Sequence, residues 1–102
     1  TITLDTFFIT NKIQPSFIKI DVEGFELLIL ESMESFLKTN KKCKIAFEFV
    51  DWAESLANLK IGSAQLYLLN LKYNLYNLDS KSLINQPLEK GAAMMLAFKD
   101  GI

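Results

Sequence analysis

The ten residues from Phe17 to Glu26, Phe-Ile-Lys-Ile-Asp-Val-Glu-Gly-Phe-Glu, constrain this chain more than any other stretch. They begin as a short apolar strand and stop at a carboxylate, Asp21. A second acid, a glycine and a third acid follow within five residues. Leu27, Leu30, Met33 and Leu37 then recur at three- and four-residue steps, which places them on one face of a helix. The unit is strand, turn, helix, with acids gathered at the carboxyl end of the strand. In open α/β sheets that edge is where ligands bind.

The rest of the chain extends this pattern. Residues 3–8 read as a short helix capped by Thr3 or Asp5, with Leu4, Phe7 and Phe8 inward. Residues 11–16 read as a loop, since Pro15 disfavours a helix through Gln14. The helix after the acidic turn is expected over 25–38, with Glu23 and Glu26 at its positive end and Lys38 at its negative end. Glu34 and Lys38 form an i,i+4 pair. Residues 44–50 alternate as a strand: Ile45, Phe47 and Phe49 on one side, Ala46, Glu48 and Val50 on the other. Residues 51–61 read as a loop with a short helical turn. A helix from Gly62 buries Ala64, Tyr67, Leu68 and Leu71. Strands follow at 73–78 and 92–98, separated by a polar turn region over 79–91. Helical crossovers imply parallel pairing of the first strands, and the helix-free connection implies an antiparallel last pair. The first strand, being mostly apolar, is expected to be covered on both faces.

Ile-Lys-Ile-Asp-Val-Glu-Gly-Phe-Glu-Leu at 18–27 resembles the hallmark motif of the FkbM-type methyltransferases, which use S-adenosylmethionine. Thr3-Leu4-Asp5 resembles the family's Thr-Leu-Asp segment, and Glu48 its next acidic position. The likeness runs from Thr1 to about Phe98. It implies an α/β chain forming the carboxyl-terminal half of a Rossmann-like class I methyltransferase fold, a mixed sheet whose last strand inserts antiparallel. Residues 1–102 would then be one partial domain. The start at Thr1 is also read as that of a trimmed chain. The glycine-rich cofactor loop of such enzymes is not found here, because Gly24, Gly62, Gly91 and Gly101 make no G-x-G. The cofactor-binding residues are therefore unassigned, and independent methyl transfer by this piece is not expected. Its half-sheet should leave an edge and apolar faces uncovered.

Methylating a hydroxyl requires removal of its proton. Asp21, Glu23 and Glu48, at the ends of neighbouring strands, are the candidate catalytic residues, orienting or deprotonating the acceptor. Trp52 and Gly24 are the candidate substrate-binding residues, with Gly24 shaping the turn. Glu26 is explained by capping. Asp21 and Glu48 could also bind magnesium and lower the acceptor's pKa. A small-molecule, sugar or lipid hydroxyl is the expected acceptor. Two other readings remain open: a metal-dependent hydrolase built on Asp21, Glu23 and Glu48, and a non-catalytic module whose open edge pairs with another chain.

Composition narrows the field. Half the residues are hydrophobic, which rules out a disordered chain, and the net charge of −1 with no basic run gives no nucleic-acid footprint. No apolar run reaches a membrane-span length. There is no histidine, so His-based catalysis and His-ligated zinc are excluded for these residues. Cys43 is the only cysteine. It suits a reducing cytoplasm and reads as inert.

Overall fold

The computed structural model describes residues 15–99. The helix expected over 3–8 lies outside them, as does the Thr3-Leu4-Asp5 segment. The elements in order are β1 (Phe17–Ile20), α1 (Glu26–Glu31), α2 (Glu34–Thr39), β2 (Lys44–Val50), α3 (Asp51–Leu56), α4 (Ser63–Asn70), β3 (Asn74–Asn77), β4 (Ser82–Ile84) and β5 (Ala92–Phe98). They form a mixed α/β structure around one five-stranded sheet of order β1-β2-β5-β3-β4.

The parallel and antiparallel expectations both hold. β1 and β2 run parallel, with Phe17 opposite Lys44 and Ile20 opposite Phe47. β5 lies antiparallel between β2 and β3. It therefore separates β3 from β2 while pairing with each. Strand β4 was not anticipated in the polar region. It pairs Leu75 with Ile84 and Asn77 with Ser82. The Asn77 side chain accepts the N–H groups of Asp79 and Ser80, which closes the turn between β3 and β4.

One face of the sheet makes the core. Ile20, Ile45, Phe47, Phe49, Leu75, Met95 and Ala97 pack against Leu30, Met33 and Leu37 from α1 and α2, and against Ala64 and Leu68 from α4. Tyr67 and Leu71 join that core partly buried. The opposite face carries no helix among the described residues. Phe17 there is 56% exposed and Leu83 is 64% exposed. Among the described residues, β1 is covered on one face, where α1, α2 and α4 pack.

The expected single helix over 25–38 is two. The Ser32 hydroxyl donates to the carbonyl of Ile29 at 2.6 Å, and Met33 takes φ −126°, outside the helical range. A serine hydroxyl that competes for a backbone carbonyl in this way bends or breaks a helix. Both pieces keep their apolar residues on the inner face. Glu34 and Lys38 pair at 3.3 Å on the exposed side.

The end of α2 is tied across the molecule. The Tyr73 hydroxyl donates to the Leu37 carbonyl, Lys99 Nζ donates to the Leu37 and Lys38 carbonyls, and that ammonium lies 4.7 Å from the Tyr73 ring centre. Orphan carbonyls at a helix end require such partners. No helix among the described residues is long and apolar enough to cross a membrane.

Candidate functional site

The site begins where the parallel ladder ends. Ile20 and Phe47 are its last partners. Asp21 follows the last residue of β1, and Glu48 follows Phe47 within β2, which runs on to Val50. Both are exposed. Glu48 lies on the open face, opposite the core-facing Phe47 and Phe49, with Met94 of β5 as its cross-strand partner. Asp21 directly follows Ile20, where β1 ends and the turn begins. No ion pair ties either carboxylate to Lys19 or another lysine among the described residues.

Beyond Asp21 the chain turns sharply. Phe25 N–H donates to the Val22 carbonyl across a four-residue turn, and both central residues have positive φ: Glu23 at 35° and Gly24 at 97°. Glycine adopts such angles without penalty, whereas for glutamate they are uncommon. A residue held off its preferred backbone at a sheet edge is typical of functional sites.

Gly24 is buried, and a Cβ there would stand 2.3 Å from the Ala53 carbonyl oxygen. Its missing side chain is therefore filled by protein backbone. Gly24 acts on the site by letting the turn seat against α3. Trp52, the residue before Ala53 in α3, is 59% exposed. The Asp51 carboxylate accepts the N–H of Trp52 and the N–H of Gly91, binding the start of α3 to the start of β5. Asp21 follows β1, Glu23 lies in the turn after it, Glu48 is the first residue of β2 past the parallel ladder, and Trp52 lies in α3.

Two further acids, Glu26 and Glu54, are buried. Glu26 accepts the Gly24 N–H at 2.8 Å. Burial pushes its carboxyl up, against the pull of the Glu26, Gly24 and Val22 amides, and the charge of Glu54 adds to the rise. Glu54 accepts the Gly62 N–H at 2.8 Å and the Ala64 N–H at 3.4 Å, and it meets the Ser63 hydroxyl at 3.5 Å. Glu26 thereby ties the preceding turn to the first turn of α1, rather than capping the helix itself. Sequence reasoning gave Glu54 no role. Its partners lie eight to ten residues on, beyond any helical repeat, and only the doublet Gly62-Ser63 hinted at a helix start needing an acceptor.

Cys43 is buried, and that burial raises its thiol pKa despite Lys44 beside it, which fits an inert thiol. A cleft of about 410 Å³, between α1, α4 and the loop at Pro87, has none of Asp21, Glu23 and Glu48 in its lining.

Among the described residues, no group of three or more His, Cys, Asp and Glu side chains is placed to hold a metal ion. Asp21, Glu23 and Glu48 therefore do not assemble a three-carboxylate metal centre, which disfavours the metal-hydrolase reading. The three described glycines, Gly24, Gly62 and Gly91, all have positive φ.

A family model described as Methyltransferase FkbM domain matches residues 1–75. The chain belongs to the FkbM methyltransferase family. The FkbM match takes in β1, β2, all four helices and the first half of β3, so Asp21 and Glu48 both lie inside it. β4 and β5 lie beyond it. No curated protein and no solved structure gives a significant match. Family membership favours an enzyme over a non-catalytic pairing module.

Proposed function

We propose that this chain supplies the acceptor-binding side of an S-adenosylmethionine-dependent O-methyltransferase, acting on a small-molecule, sugar or lipid hydroxyl. The observation that carries the reading is a pair of exposed acids that follow the last parallel partners, Asp21 after Ile20 and Glu48 after Phe47, within an FkbM domain. The acceptor hydroxyl donates to one carboxylate, which takes its proton as the oxygen becomes nucleophilic. The second carboxylate holds the acceptor's neighbouring donor, and Trp52 offers an apolar wall. Such general-base assistance contributes about 10²–10⁴-fold. The exposure of both acids at a strand end supports this role.

The 102 residues are read as the carboxyl-terminal half of a Rossmann-like catalytic domain. Insertion of β5 between β2 and β3, antiparallel to both, supports that reading. The grip on the methyl donor is not assigned to the described residues.

The test is calorimetric titration of S-adenosylmethionine into the protein that joins these residues to the segment preceding them, followed by the same titration in Asp21→Asn and Glu48→Gln. Cofactor binding in all three, with methyl transfer lost in the two variants, is the expected result. A folded protein that does not bind the cofactor rejects the proposal.

A further inference from the structure

Glu26 and Glu54 are each about 3% exposed, and neither meets a cation among the described residues. A buried carboxylate is costly unless backbone N–H groups or a cation compensate it, and two within reach of each other's charge cost more. Here backbone amides compensate both. Glu26 holds the Gly24 amide of the turn that follows Asp21. Glu54 holds the amides of Gly62 and Ala64, so it fastens α3 to the start of α4.

The two acids flank a single contact. Gly24 sits against the Ala53 carbonyl, and Ala53 directly precedes Glu54. The charge of Glu54 is felt at Glu26 across this joint. On one side lies the turn that sets where Asp21 and Glu23 stand. On the other lies α3, which leaves β2 three residues after Glu48.

We propose that Glu26 and Glu54 are positioning residues for the Asp21–Glu48 rim, working as a two-part clamp closed through the Gly24–Ala53 contact. The proposal rests on the methyltransferase reading of that rim. Glu26 keeps two consecutive residues at positive φ, a conformation that Glu23 would leave if its neighbour's amide lost its acceptor. Glu54 stops α3 from swinging away, which would open the space Gly24 fills. Relaxing either half changes the spacing of the two carboxylates, although neither clamp residue touches the acceptor.

Amide NMR on the full chain tests this, comparing Glu26→Ala, Glu26→Gln and Glu54→Ala. Glu26→Ala should speed hydrogen exchange at Gly24 by roughly tenfold or more, since a hydrogen bond to a charged acceptor is lost. It should also move the amide resonances of Asp21 and Glu48. Glu26→Gln keeps one acceptor oxygen and should restore most of the protection. Glu54→Ala should move the Gly24 resonance across the contact.

Rim resonances unmoved by Glu26→Ala, with only a lower melting temperature, would overturn the proposal and leave Glu26 a tie within its own turn. A Gly24 resonance unmoved by Glu54→Ala would equally overturn it. Should Glu26→Ala not fold, Glu54→Gln takes its place. It leaves one of the Gly62 and Ala64 N–H groups without its acceptor, so the Gly24 amide must then shift, and an unchanged Gly24 resonance rejects the clamp. None of these readouts needs methyl transfer. A rim that moves in a protein that binds no S-adenosylmethionine rejects the enzyme reading alone, and cofactor binding with an unmoved rim rejects the clamp alone.

Discussion

The two faces of β2 carry opposite duties. Ile45, Phe47 and Phe49 are buried against α1, α2 and α4, and their side chains specify which way the sheet is covered. On the other face of the same strand, Glu48 is exposed beside Met94. One strand thus supplies both the fold's anchor and the rim's acid, one residue apart. The alternation teaches that stability and chemistry can be altered separately here, because a strand's neighbours in sequence are not neighbours in space.

The sharpest way to break that separation is Phe47→Ala. Its side chain is among the largest that are fully buried, and its loss should cost about 3–5 kcal/mol, read from denaturant unfolding. An effect below about 1 kcal/mol would mean that this face is not the anchor. Gly24→Ala should come next. Its positive φ costs about 1–3 kcal/mol in a side-chain-bearing residue. The clash with the Ala53 carbonyl adds an overpacking cost of about 1–3 kcal/mol, unless α3 moves away. A variant as stable as the parent would show that the turn and α3 do not meet.

Glu26 sharpens the comparison through pH. Its folded-state pKa is raised, mainly by burial, so the folded state favours the protonated acid. The associated stability is present below the ordinary glutamate value of about 4.3 and is lost as pH rises through the higher folded value. Thermal melts of Glu26→Gln across that window should therefore fall less with rising pH than those of the parent. Equal slopes would show that burial does not govern this group.

The smallest stability effect belongs to the rim. Asp21→Ala and Glu48→Ala should change unfolding free energy by no more than about 0.5 kcal/mol, as for exposed residues without partners. Methyl transfer in the full catalytic domain should fall by about 10²–10⁴-fold. A large loss of stability from Glu48→Ala would make it a structural acid.

Much of this architecture was readable before any coordinates. Strands β1, β2, β3 and β5 announce themselves as short apolar runs, and α4 by the spacing of Ala64, Leu68 and Leu71. The break at Ser32–Met33 was hidden, because the apolar spacing runs straight through it and the hydroxyl's choice of the Ile29 carbonyl is local geometry. Strand β4 was hidden for another reason. Ser82, Leu83 and Ile84 have little periodicity, and they become a strand only because β3 offers them a partner. Of the site, Asp21, Glu23 and Glu48 were legible as acids at strand ends. Glu54 was not, since its partners come from a different helix.

The local order of strand, turn and helix, and the placing of acids after strands, follow from side-chain periodicity, which each segment carries within itself. The insertion of β5 between β2 and β3, the side on which α1, α2 and α4 cover the sheet, and the joining of Gly24 to Ala53 were decided by the packed chain. These depend on contacts between segments far apart in sequence, where shape and hydrogen-bond partners choose the arrangement.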